Sequence, residues 1–209
     1  MVQAGVPVVY RSGSGNAITN YDFLDVITGR GILTLYGGDI SINGTKTYVL
    51  TPNQFYSQDG FTLISANAGT LDFSFDMELG EPITIEGDAI INAPFRVQNS
   101  AGETVTATFL VKKVDAASVV TVLISGACSQ VVNTAAGGQV NQLVTRLAIP
   151  RTTIKGGETL RVQISGAGAV VAKNTDWAHD PKNRGTINTD AIGYETSQFA
   201  IQLPVVVDL

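Results

Sequence analysis

The chain is expected to fold as an all-β protein, a two-sheet antiparallel β-sandwich with an extended N-terminal arm. Three observations predict this. Apolar and polar residues alternate strictly from Leu71 to Leu79, which gives a strand one buried face and one wet face. Short runs rich in valine, isoleucine and threonine recur along the chain with turn residues between them. No window sustains apolar residues at i, i+3, i+4 and i+7, the pattern of an amphipathic helix.

The elements follow in order. Residues 1–20 read as an arm: Val6, Val8, Val9 and Tyr10 form a short apolar segment, and residues 11–16 have the composition of a flexible linker. Residues 21–209 read as a single domain. Ile32 to Tyr36 is a short strand closed by Gly37-Gly38. Asp39 to Ile42 and Thr45 to Leu50 flank Asn43-Gly44, a strong hairpin signal because a type I′ turn needs φ > 0 at both central positions. Phe61 to Ser65 resumes after Pro52. In the Leu71–Leu79 strand, Leu71, Phe73, Phe75, Met77 and Leu79 share the inner face. Ile83 to Val97 alternates less cleanly, and Gly87 and Pro94 suggest a bulge or a sheet edge. Thr104 to Val114 points Val105, Ala107, Phe109 and Val111 inward. Asp115 to Ser118 turns the chain into Val119 to Cys128. Leu143, Thr145, Leu147 and Ile149 mark the next strand, ended by Pro150. Leu160, Val162 and Ile164 mark another, and Phe199 to Val207 the last. Phe73, Phe75, Phe109, Leu160, Val162, Ile164, Phe199 and Ile201 are the expected core.

Composition narrows the function. Only 15% of residues are charged, against about 25% in average chains, so partners are expected to cover much of the surface. The net charge of −5 and pI near 4.7 give no electrostatic footprint for nucleic acid. Lys112-Lys113 is the densest basic spot and reads as a solvated strand end. No stretch approaches the 18 apolar residues of a membrane span, and the first residues do not read as a signal peptide. Cys128 is the only cysteine. It reads as a buried small hydrophobe, and Asn43-Gly44-Thr45 as a turn rather than a glycosylation site.

Candidate chemistry is sparse. His179 is the only histidine, so any His-based general base or triad must use it. It lies in a polar loop, Lys173 to Asp190. An ion site from Asp176, His179 and Asp180 would lack ligands for zinc. The favoured reading is an exposed loop packed down by Trp177. Asp72, Asp76 and Glu78 share the outer face of one strand at a spacing that a paired-carboxylate hydrolase permits, yet alternation already explains them. Gly29-Arg30-Gly31 and Gly166-Ala167-Gly168 open no helix after a strand and read as turns. No catalytic set, cofactor site or metal site is expected, and the chain is read as no enzyme.

One segment carries a resemblance. From Leu147 through Pro150, Thr153-Ile154-Lys155-Gly156-Gly157, and on to Glu158-Thr159-Leu160-Arg161-Val162, the sequence resembles a hairpin of viral and phage jelly rolls. With the arm and its Gly-Ser spacer, the whole resembles the capsid decoration (auxiliary or cement) proteins of tailed phages. The resemblance implies a jelly roll on the outer capsid surface of the virion, bridging the major capsid protein lattice, as a homo-oligomer with three-fold symmetry. Expected contact residues are Val6, Val8, Val9 and Tyr10 of the arm, Trp177 of the polar loop, and Val205, Val206 and Val207, whose segment is apolar on both faces. The alternative is a receptor- or carbohydrate-binding sandwich using Tyr36, Tyr48, Phe55, Tyr56, Trp177 and Tyr194. A hydrolase on a β scaffold finds little support in the residues.

Overall fold

The computed structural model describes residues 30–42, 45–53, 61–64, 71–97, 104–131, 141–166, 175–178 and 199–206. The expected arm, with Val6, Val8, Val9 and Tyr10, lies outside them. Every regular element described is a strand: β1 Arg30–Ile42, β2 Thr45–Thr51, β3 Phe61–Ile64, β4 Leu71–Glu78, β5 Ile83–Val97, β6 Thr104–Val114, β7 Val120–Val131, β8 Asn141–Ile154, β9 Thr159–Gly166, β10 Thr175–Ala178 and β11 Ala200–Val206.

All of them join one sheet. Nine strands run in the order β8-β5-β11-β1-β2-β4-β9-β6-β7, while β10, with β3 beyond it, pairs the far end of β5. Every ladder is antiparallel except β2–β4, which meet in a single parallel bridge at Val49↔Asp76. That bridge corrects the expectation of two separate sheets, because it joins both halves into one. The sheet is also nearly closed. Its end strands approach where Cys128 Sγ of β7 lies 3.5 Å from the Val144 carbonyl of β8. A Cβ added at Gly126 of β7 would collide with Leu147 Cδ2 of β8.

Alternation fills the interior. Phe75, Phe109, Leu160, Val162, Ile164, Phe199 and Ile201 are buried as expected; the side chain of Phe73 lies outside the described part. Phe75 of β4 stacks on Phe199 with ring centroids 4.4 Å apart. It also meets Tyr48 of β2 edge-on at 5.8 Å. This aromatic cluster pins the β4 half to the β11 half, where offset and edge contacts add to plain burial.

Several turn signals prove to be features inside strands. Gly37-Gly38 does not close a strand; β1 runs through it and pairs with β2 along Tyr36↔Thr51 to Ile42↔Thr45. A Cβ at Gly37 would lie 2.5 Å from Phe199 Cδ1 and 3.0 Å from Phe75, so the missing side chain makes room for the stack. Pro150 does not end β8 either. The β5–β8 register slips between Ile85/Thr152 and Gly87/Ile149, and Pro150 sits in that bulge, where a missing N–H breaks no ladder bond. Gly87, with φ at +118°, is the bulge that its sequence context suggested. Pro94 is not at a sheet edge: β5 is central. It falls in the gap between the last β11 partner, Asn92, and the first β10 partner, Phe95. The Leu147–Ile164 segment is a corner rather than a hairpin, since β8 pairs with β5 while β9 lies between β4 and β6.

Candidate interaction surface

The expected contact residues are placed as follows. Trp177 lies in β10, not in a loop, and is 3% exposed, its ring 5.6 Å from that of Phe95. Val205 is 4% exposed in β11, a central strand laddered to β1 and β5. Val206 is half-buried and Val207 lies outside the described residues. The surfaces of Trp177 and Val205 are thus spent inside the core. Asp176 is described as a backbone position paired with Arg96 and Leu63, while His179 and Asp180 lie outside. Among the sugar-stacking candidates, Tyr36 and Tyr48 are half-buried, and Phe55, Tyr56 and Tyr194 lie outside the described residues.

The outer face of β4, β9 and β6 carries the clearest polar geometry. Asp76 and Arg161 are register partners, and the guanidinium donates two hydrogen bonds to the carboxylate at 2.7 and 2.6 Å. This fork-to-fork contact pushes the Arg161 pKa further up, against the opposing effect of burial. One strand over, Lys112 donates to Gln163, and Lys113 Nζ lies 3.5 Å from Glu158 Oε2. Lys112-Lys113 is therefore a half-buried pair engaged with β9 and its turn, not a solvated end. Glu158 also accepts the Lys155 N–H at 2.8 Å, which closes the β8–β9 corner. That corner is tied to the end of β4 by Gly157 N–H donating to Leu79 O at 2.7 Å. Both oxygens of the Asp76 carboxylate are thus engaged by Arg161.

Apolar surface gathers elsewhere, on the β6–β7 hairpin. Val119, Val120 and Val122 are 59%, 45% and 51% exposed. The hairpin is built for rigidity. Asp115 Oδ1 accepts the N–H groups of Ala117 and Val119 at 2.9 and 2.8 Å. Ser118 takes up a left-handed φ of 64° and donates its N–H to Asp115 O at 2.9 Å. Between Val111↔Ile124 and Lys112↔Val122 the register slips, so Leu123 is an extra residue on β7. The sequence reading placed a strand at Val119 to Cys128 and did not single out this surface. The available signal was the Asp115–Ser118 turn, which marks β7 as the return strand of a hairpin. Cys128 is half-buried rather than buried; partial burial still raises its pKa, the Ser129 backbone hydrogen bond opposing.

Fold and surface define a class: an all-β protein of one nearly closed sheet, whose apolar exposure concentrates on an end hairpin. No family model and no curated protein matches the chain. Solved structures do. A CocE/NonD family hydrolase from Staphylococcus aureus superposes with a TM-score of 0.56 at 10% identity, covering 83% of this chain and 37% of that one. An aminopeptidase from a marine sediment Thaumarchaeota archaeon gives 0.53 at 9% identity, covering 82% and 37%. The chain spans little more than a third of the length of these proteins. Likeness to infectious bursal disease virus, Gx strain, is weaker, with a TM-score of 0.25 at 13% identity over 86% of this chain and 56% of that one. The reading of the chain as no enzyme is corrected here. The same β fold forms part of proteins that are hydrolases, so an all-β architecture with a sparse set of reactive residues does not set a chain outside them.

Proposed function

We propose that the chain is a structural protein of a virus particle, a capsid decoration protein that binds the lattice of major capsid protein on the outer surface. The observation that carries the reading is the β6–β7 hairpin, which presents Val119, Val120 and Val122 to solvent on a braced scaffold. A clamp between shell subunits needs apolar area and a rigid shape, and both are present there. The low charge of the chain supports it, as does the β8–β9 corner, whose Pro150, Gly157 and Glu158 follow the phage-like segment. The arm, residues 1–20, is proposed to add to a neighbouring subunit's sheet edge through Val6, Val8, Val9 and Tyr10. Co-sedimentation with purified capsids, followed by negative-stain imaging, tests the reading. Saturable binding at regular lattice positions is expected. Deletion of residues 1–15 should lower occupancy without changing the melting temperature. Absence of binding to any capsid from the source of the sequence refutes the assignment.

A second reading is favoured by the hydrolase likeness, which extends over more than four-fifths of this chain. In it the chain is a β unit of a hydrolytic enzyme. Turnover of ester or aminoacyl-anilide substrates above the buffer rate would favour it over the first.

A further inference from the structure

One register row crosses the outer face of four strands: Asp76 of β4, Arg161 of β9, Lys112 of β6 and Val122 of β7. Its charges are unevenly matched. Arg161 and Lys112 are directly opposite each other, and like charges so placed repel. Asp76 engages Arg161 with both oxygens. β6, β7 and β9 contain no Asp or Glu. The carboxylates of these four strands are Asp72, Asp76 and Glu78, all on β4, two strand spacings, about 9–10 Å, from Lys112. Lys112 is half-buried and donates instead to Gln163 Oε1, a neutral acceptor. Among the described residues the Gln163 NH2 group and Arg161 Nη1 have no hydrogen-bond acceptor. Donors from three side chains thus gather here. Two positive charges, Lys112 and Arg161, stand against one negative, Asp76, which leaves one positive charge over.

We propose that Lys112 and Gln163 receive a side-chain carboxylate, Asp or Glu, of the bound capsid subunit. The inference rests on the decoration reading and adds the chemistry of the partner: an apolar contact with an acidic residue beside it. Val122, the cross-strand neighbour of Lys112, is 51% exposed. A subunit that covers this valine also takes water from the adjacent ammonium, and a charge removed from water must be paired. Gln163 supplies no charge, Asp76 is taken, and the remaining carboxylates of the face are a strand further off than Arg161. The counter-charge therefore has to come with the partner. One surplus positive charge matches a single carboxylate. A polyanion such as nucleic acid would meet the net charge of −5 of the whole chain.

The test uses the full chain and purified capsids, with affinity read by co-sedimentation across a range of NaCl concentrations. Wild-type binding should weaken as salt rises. K112Q removes the charge, and Q163E supplies the carboxylate from within the chain. Each should bind about tenfold or more weakly, with a shallower salt dependence, while K112R binds as wild type does. Q163E keeps the size and shape of the native side chain and places opposite charges together, so its melting temperature should not fall; it decides the matter if K112Q proves unstable. Wild-type protein that binds, with K112Q and Q163E indistinguishable from it in affinity and salt dependence, overturns the carboxylate site and leaves the decoration reading standing. A wild type that binds no capsid removes the decoration reading, and the acidic partner with it.

Discussion

Replacing Phe75 by alanine probes the join between the two halves of the sheet. The ring is fully buried, stacked on Phe199 at 4.4 Å and edge-on to Tyr48 at 5.8 Å. Phe→Ala in a packed core costs about 3–5 kcal/mol, transfer and cavity together. For a chain of this size each kcal/mol moves the melting temperature by about 2–4 °C, so a drop of roughly 6–20 °C is expected. Urea unfolding followed by circular dichroism gives the free energy directly. Gly37→Ala attacks the same cluster from the other side, because its Cβ would sit 2.5 Å from Phe199 and 3.0 Å from Phe75. Overpacking of this kind costs about 1–3 kcal/mol. The two changes should be non-additive, since F75A opens space into which Phe199 can shift; the expected coupling is at least about 0.5 kcal/mol. A cost below about 1 kcal/mol for F75A, or strict additivity with G37A, would refute the picture of one aromatic cluster holding the halves together.

Gly87→Ala should destabilise by about 1–3 kcal/mol in urea unfolding, because φ at +118° strains any side chain. Arg161→Lys should cost only about 0.5–1 kcal/mol, since the Asp76 pair is partly solvated although bidentate; a double-mutant cycle with Asp76→Asn isolates the contact. Cys128 should react with a disulfide reagent at pH 8 more slowly in the native protein than in urea, because burial raises its pKa from 9.0 and only the thiolate attacks. The native state holds that proton more tightly, so the thiol's contribution to stability is intact below pH 9 and declines as pH rises above it; stability of Cys128→Ser should lack this decline.

The strands that alternate were legible in the sequence, because period-two burial is written into single residues: Phe75, Val105, Phe109, Leu160 and Val162 all point where their neighbours require. The Asn43-Gly44 hairpin was equally legible, and its ladder closes at Ile42↔Thr45. What pairs with what was not. β8 and β9 are adjacent in sequence and meet different strands, a choice fixed by long-range ladders that no local pattern encodes. Gly37, Pro94 and Pro150 carry the same letters as turn residues, yet here they serve a close packing contact, a ladder gap and a bulge. β10 has four residues, with Trp177 buried, and is too short for any periodicity. The exposure of the β7 valines was not legible, because apolar identity does not reveal which face finds a partner.

The position of β11 has a consequence for how the molecule is made. It slots between β1 and β5, pairing Arg30 with Val206 and Thr84 with the same residue, yet every other described strand is translated before it. Until it emerges, β1 and β5 lack the strand that lies between them in the finished sheet. Such unpaired edges are the places where intermediates stick to one another. Closure also waits on contacts between residues very far apart in sequence, and topologies of that kind fold slowly. Yield in cells should therefore depend on how long the growing chain stays on the ribosome, or under a chaperone, before β11 takes its place.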